Sequence, residues 1–279
     1  MCCRGTAPTR EPSVRKPIVR VGTAGWTIPS RYQSLLAGDG SHLERYAHRL
    51  NAVEINSSFH RHHRVQTYVR WARCVPAHFR FAVKVPRTLT HDGKLAPLPE
   101  VLDQFAAEVY GLGRKLGVLL VQLPPKLAFE APVARRFFSE LRKRIDVPIA
   151  CEPRHPSWGS QRAASVLTEC AVARVAADPS PLPGADEPGG SEQLAYFRWH
   201  GQPRKYYSDY DREQLEALWR QLAVASKTAG QVWIIFDNTV LGYAFENAMA
   251  TTAAGESTGK FNVGTAEGIS ACERDCFRP

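Results

Sequence analysis

One alternation, repeated eight times, constrains this chain more than any other feature. Short β-branched or aromatic runs are mostly followed by amphipathic stretches with helical spacing. The strand candidates are Ile18–Gly22, Ala52–Asn56, Phe79–Lys84, Val118–Gln122, Pro148–Glu152, Val172–Ala177, Ala195–His200 and Gln231–Asp237. Helices are expected at Ser41–Leu50, Val65–Cys74, Pro99–Lys115, Ala131–Arg144, Gln161–Cys170, Asp211–Ser226 and Leu241–Ala250. Ser41 and Asp211 suit the N-cap position, where a side-chain oxygen accepts from a free backbone N–H. Strands alternating with helices make a parallel sheet, and eight such units in about 250 residues is the size of a (β/α)8 TIM barrel. The link Asp178–Gln193 departs from the pattern. It is too rich in Pro and Gly for a helix, so the sixth connection is expected to lack one. The organisation predicted is a disordered leader over 1–17, one barrel domain over 18–253, and a flexible C-terminal tail over 254–279.

Composition excludes several classes. With 279 residues, 44% hydrophobic and 23% charged, the chain is neither disordered, collagenous nor coiled coil. Its longest apolar run, near Gly117–Leu123, falls far short of the roughly 20 residues a membrane-spanning helix needs. The polar, Pro-rich start lacks the apolar region of a signal peptide. An odd count of seven cysteines without a small scaffold points to reduced thiols and a cytoplasmic setting. Cys272 and Cys276 have no second ligand pair, so no zinc site is assigned to them.

The net charge of +9 is unevenly distributed. No Asp or Glu falls between Glu54 and Asp92, while Arg61, Arg64, Arg70, Arg73, Arg80, Lys84 and Arg87 contribute +7 there. Such a block either attracts phosphates or nucleic acid, or is a solvated basic surface. Strand parity divides it. Side chains alternate across a barrel wall, so Val53 and Ile55 face the helices while Ala52, Glu54 and Asn56 face inward. The same rule sends Arg80, Ala82 and Lys84 inward, with Gln122, Ala150, Glu152, Tyr196, Arg198 and His200. Arg80 and Arg198 fall a layer below the strand ends and are expected to be ion-paired, with Glu54 as a partner. The last inward position of several strands is polar: Asn56, Lys84, Gln122, Glu152 and His200. Barrels of this class carry their chemistry at the C-terminal strand ends. Buried polar groups need partners, so these residues either bind a ligand or satisfy one another as a polar plug.

The residues so reached resemble a known family. VGTAGW (Val21–Trp26), VEINSSF (Val53–Phe59), FRFAVKVP (Phe79–Pro86) with Thr90 and His91, and QLPP (Gln122–Pro125) carry the likeness. It continues through EPRHPSW (Glu152–Trp158), Ala177-Asp178, RWHG (Arg198–Gly201) and FDN (Phe236–Asn238). In this order they resemble the domain-of-unknown-function 72 family, the YecE-like proteins. The resemblance implies a TIM barrel and brings no established reaction. This chain departs from the family in having Asp237 where Asn is usual, and Pro153 between Glu152 and Arg154.

Two classes of function fit. The first is an enzyme acting on a phosphorylated or otherwise anionic substrate, in which Glu54, Glu152, His155 and His200 exchange protons. Lys84, His91, Arg154 and Arg198 would hold oxyanions, Arg as a fork and Lys as a point charge. Asn56, Gln122 and Asn238 complete the substrate-binding set. Trp26 and Trp158 either stack on a ring or pack the rim. No cofactor is assigned. A divalent metal held by Glu152, Asp178, His200 and Asp237 is an alternative that nearby cations oppose. A Schiff base on Lys84 is another. The second class is a non-catalytic binder of nucleic acid or another anion, using the basic block with Tyr206, Tyr207 and Tyr210. No membrane partner is expected.

Overall fold

In the computed structural model, which describes residues 18–33, 36 and 40–263, ten strands and eight α-helices form one α/β unit in which helices follow most strands. The strands are β1 (Val19–Thr23), β2 (Ala52–Ile55), β3 (Arg80–Lys84), β4 (Leu116–Gln122) and β5 (Ile149–Glu152). After them come β6 (Val172–Arg174), β7 (Ala176–Asp178), β8 (Gly189–Gly190), β9 (Leu194–Trp199) and β10 (Gln231–Phe236). The helices are α1 (His42–Ala47), α2 (Ser57–His60), α3 (Val65–Arg73), α4 (Pro99–Val109), α5 (Ala131–Arg144), α6 (Gln161–Glu169), α7 (Arg212–Thr228) and α8 (Tyr243–Thr258).

Parallel pairing runs β2-β3-β4-β5-β6 and β7-β9-β10-β1. Two seams join these arcs. At the first, β6 and β7 form one interrupted strand: the N–H of Val175 between them donates to the Cys151 carbonyl, and β7 continues onto β9. At the second, Ala24 bridges to Glu54, and Gly25 N–H donates to the Glu54 carbonyl at 2.9 Å. The ring is a (β/α)8 barrel. Its sixth connection has no helix and returns as β8, antiparallel to β6. Among the described residues no helix is long and apolar enough to cross a membrane.

Local sequence explains the elements. Ser41 and Glu44 cap α1 reciprocally, and Asp211 and Gln214 do the same for α7, satisfying N–H groups that a helix start leaves free. Ala134, Phe137, Phe138 and Leu141 put the apolar stripe of α5 on the sheet at helical spacing. The Pro99 helix stops at Val109, and Tyr110–Lys115 continues as tighter turns broken at Gly113.

Two cores result. Between strands and helices lie Val53, Ile55, Phe81, Phe105, Phe137 and their neighbours. Inside the ring lie Ala52, Ala82, Val118, Leu120, Ala150, Tyr196, Trp233 and Ile235. Small residues on β2, β3 and β5 leave room for the Tyr196 and Trp233 rings, which stack with centroids 6.0 Å apart.

The C-terminal expectation needs correction. Helix α8 runs through residue 254 to Thr258, and Phe261 and Val263 beyond it are buried. Gly255 makes this return close, since a Cβ there would come within 2.7 Å of Val263. Val19 N–H then donates to the Asn262 carbonyl. Small residues read as flexible from composition are here the surface against which the chain packs back. Residues 1–17 and 264–279, with Cys272 and Cys276, lie outside the described residues. Cys74, Cys151 and Cys170 are free thiols.

Closure at the second seam depends on Gly22, where a Cβ would stand 2.2 Å from the Ala52 carbonyl oxygen. Gly22→Ala should force β1 from β2 and cost about 1–3 kcal/mol, read as a lower midpoint in urea unfolding.

Candidate functional site

Strand ends converge on one guanidinium. Arg198, on β9 and 1% exposed, sends Nε and Nη2 to the Glu54 carboxylate at 2.8–3.2 Å. Its Nη1 donates to Glu152 Oε2 at 3.0 Å, and Nη2 lies 2.9 Å from Asp237 Oδ2. Tyr196, one inward position below on β9, donates its hydroxyl to Glu54 Oε2 at 2.9 Å. Glu54 is wholly enclosed. It serves as the counter-ion of Arg198, and the expectation that it exchanges protons with a substrate does not fit this enclosure.

The second tier is a proton-bearing chain. His200 follows β9 and places Nδ1 3.0 Å from Asp237 Oδ2 and Nε2 3.3 Å from Glu152 Oε1. Burial lowers its pKa, but Glu152 and the hydrogen bond to Asp237 outweigh that and raise it. Burial pushes the Glu152 carboxyl up, and the charges of His200 and Arg198 pull it well below the usual range. Asp237 is likewise held low against burial by Arg198 and His200. Glu152 Oε1 also accepts from Arg154 Nε and Nη2 at 3.0 and 2.8 Å.

Three carboxylates thus face Arg198, Arg154 and His200, whose two carboxylate neighbours favour its protonated form. Lys84 is the remaining cation. It ends β3 and is 9% exposed, and its Nζ forms no ion pair or hydrogen bond among the described residues. Its Nζ sits 4.2 Å from the centroid of the Phe59 ring. Burial, then the charge of Arg198, lower its pKa to about 8, although Glu54, Glu152 and Asp237 oppose this. His91 lies against the other face of this corner. Its ring is 4.9 Å from Phe59, Thr90 Oγ1 is 3.0 Å from its Nδ1, and burial followed by Lys84, Arg87 and Arg154 lowers its pKa. Asn56, just after β2, has a buried Oδ1 without a partner among the described residues. Gln122 ends β4 and is nearly buried.

Other expected residues lie elsewhere. Trp158 is buried, donates Nε1 to the Leu127 carbonyl and packs on Phe129, so it is core rather than a stacking surface. Trp26 packs edge-on to Trp71. His155 Nδ1 accepts from Ser157 N–H at the start of a short turn, so that nitrogen caps a helical turn. Asn238 donates to the Ser208 carbonyl and to Asn247 Oδ1, bracing the loop after β9. Asp178 accepts from Tyr210 and Gln202. Arg80 does not pair with Glu54; it bonds main-chain carbonyls at the opposite end of its strand.

The metal alternative fares poorly on donor chemistry. Both oxygens of Glu152 and Oδ2 of Asp237, which would coordinate a cation, are committed to Arg198, Arg154 and His200. Among the described residues no group of three or more His, Cys, Asp or Glu is disposed to hold a metal.

Three residues were not foreseen as members of this site. Tyr196 was legible as inward but not as a hydrogen-bond donor. Phe59 is the ring under Lys84. Tyr206 lies beside Arg154, edge-on to His200 with ring centroids 5.7 Å apart, in a left-handed backbone conformation at φ 70°. Non-glycine residues adopt that conformation rarely, and it clusters at functional sites. The sequence marks Tyr206 only as a stacking candidate, with Tyr207 and Tyr210, in the alternative of a nucleic-acid binder.

Comparisons with known proteins agree on one family. The sequence model described as "Protein of unknown function DUF72" matches residues 20–266. The UPF0759 protein YecE of Escherichia coli K12 is 25% identical over 142 residues, 50% of either chain, so this chain spans about half the length of that relative. The UPF0759 protein YunF of Bacillus subtilis is 22% identical over 259 residues, 82% of this chain and 92% of YunF. A DUF72 family protein from Enterococcus faecalis superposes with TM-score 0.72 at 23% identity, covering 85% of this chain and 94% of that one. One from Thermotoga maritima gives 0.72 at 23%, covering 86% and 100%. These structures share the fold.

Removing the central guanidinium leaves buried carboxylates unpaired. Arg198→Met should therefore destabilise by about 3–5 kcal/mol, measured by denaturant unfolding. Lys84→Met should do the reverse, because the native state binds the Lys84 proton less tightly than the unfolded chain. The gain at pH 7 should be on the order of 3 kcal/mol at about 1.4 kcal/mol per pH unit, and should shrink as pH rises from 8 towards 10.

Proposed function

The chain belongs to the DUF72 family, and because that family is described only as proteins of unknown function, we propose a function from the chemistry of the barrel mouth: acid/base catalysis on a small phosphorylated or otherwise anionic substrate. One observation carries this reading. Lys84 is a buried ammonium at a barrel strand end, without a counter-ion among the described residues, and its environment makes its charge costly. A site that holds such a charge at a cost to stability is organised for a partner that supplies the opposite one.

The roles follow from exposure. Lys84, Arg154 and His91 hold the anionic group; Lys84 acts as a point charge, and Arg154 is fixed by Glu152. Asn56 and Gln122 offer polar groups to the rest of the molecule. Asp237, at the edge of the cluster, is placed to accept a proton, and His200 behind it is held charged between two carboxylates. Charged on both ring nitrogens, His200 has no lone pair for a further proton and instead stabilises the Asp237 and Glu152 carboxylates on either side of it. Arg198 and Glu54 position these groups and do not touch substrate. Such a set suits proton transfer in a hydrolase, lyase or isomerase.

The test is a thermal-shift and titration series with inorganic phosphate, glucose 6-phosphate and AMP. Saturable binding is expected, weakened about tenfold or more in Lys84→Met. Affinity should fall above pH 8 as Lys84 loses its proton. Glu152→Gln should retain that binding and lose turnover. Binding indifferent to both Lys84→Met and Arg154→Met would place the ligand elsewhere. Retention by oligonucleotides alone, with steep salt dependence and tolerance of Glu152→Gln, would replace the enzyme with a non-catalytic binder.

A further inference from the structure

The floor of the barrel carries a second cationic arrangement. Arg20 of β1 and Arg80 of β3 stand at the strand ends opposite the mouth, where they line a cavity of about 390 Å³ together with Gly117, Asp146, Gly230 and Gln231. The Trp233 ring closes the barrel beside it. A Cβ at Gly117 would come within 2.6 Å of that ring and 3.3 Å of the Arg80 side chain. The stacked Tyr196 and Trp233 thus stand between this cavity and the carboxylates of the mouth.

Each guanidinium is oriented through one nitrogen. Arg20 Nη1 donates to the His78 carbonyl at 2.6 Å. Arg80 Nη1 donates to the carbonyls of Ala77 and Phe79 at 2.7 and 2.9 Å. The Nε–Nη2 edge of each makes no hydrogen bond among the described residues, and neither edge is sealed from solvent. That edge is the fork that matches two oxygens of a phosphate or carboxylate. Neither arginine forms an ion pair among the described residues, and Asp146 on the cavity wall lies out of ion-pair range. By contrast, the more exposed Arg87 and Arg135 both hold carboxylates. The two floor charges oppose each other: burial and then Arg80 bring Arg20 down to about 10.

We infer that Arg20 and Arg80 form a second binding site, on the N-terminal face of the barrel, for a single oxyanion group, phosphate or carboxylate. Main-chain carbonyls aim the two forks, and the cavity gives the anion room. An anion there would neutralise a repulsion that the fold otherwise carries unrelieved.

Isothermal titration of the full chain in a Lys84→Met background weakens the contribution of the mouth about tenfold or more, and floor variants made in that background separate the rest. Inorganic phosphate and acetate, titrated separately, distinguish the two forms of the group; saturable binding of either is expected. Arg20→Lys and Arg80→Lys keep the charge but lose the fork, and each should weaken binding about tenfold. Circular dichroism verifies that these conservative variants are folded. No saturable binding in Lys84→Met, or unchanged affinity in both lysine variants, overturns the site. If the wild type binds phosphate and Lys84→Met does not, the mouth reading stands and this one falls. If both bind alike and the floor variants do not, the reverse holds.

Discussion

The structure depends on how Arg198 is neutralised. A guanidinium at 1% exposure costs several kcal/mol unless its charge and donors are met, and here Glu54, Glu152 and Asp237 meet them. These acids come from β2, β5 and the end of β10. One side chain on β9 therefore ties together strands far apart in sequence. The same contact engages most of the carboxylate oxygens that would otherwise be free for chemistry or for a metal. What remains reactive at the mouth is what Arg198 leaves over.

That remainder has a definite sign. Arg154 and His200 pair with the acids that Arg198 does not satisfy alone, and Lys84 is left without an ion pair among the described residues. The pressure on Lys84 comes first from burial and then from Arg198 itself. The ion network that stabilises the mouth is thus also the source of the electrostatic tension that an anionic ligand would relieve. A stabilising core and a costly outermost group are two results of one arrangement.

The barrel has cationic groups at both ends and an apolar middle. Ala52, Ala82 and Ala150 are small, so Tyr196 and Trp233 fill the centre. Tyr196 reaches the mouth through its hydroxyl, and Trp233 reaches the floor through its contact at Gly117. The aromatic layer separates the two sets of arginines, and the floor pair is left with main-chain carbonyls as its partners.

The sequence by itself determined the eight-unit alternation, the missing sixth helix and the inward face of each strand. These are local properties, since a period of two and a Pro/Gly-rich link need no distant partner to be read. Parity correctly sent Ala52, Glu54, Ala82, Lys84, Tyr196 and Arg198 inside. Only the tertiary structure decided what these groups do, because roles depend on which strand ends meet. Glu54 became a counter-ion because Arg198 lies across the ring from it; Arg80, with the same parity as Lys84, points to the opposite end. Trp158 left the rim because Leu127 and Phe129 enclose it. Residues 254–263, polar and small in composition, became helix and packed return because Gly255 allows Phe261 and Val263 to close against it. Composition and period describe a residue's neighbours along the chain, whereas charge pairing and close packing are set by neighbours in space.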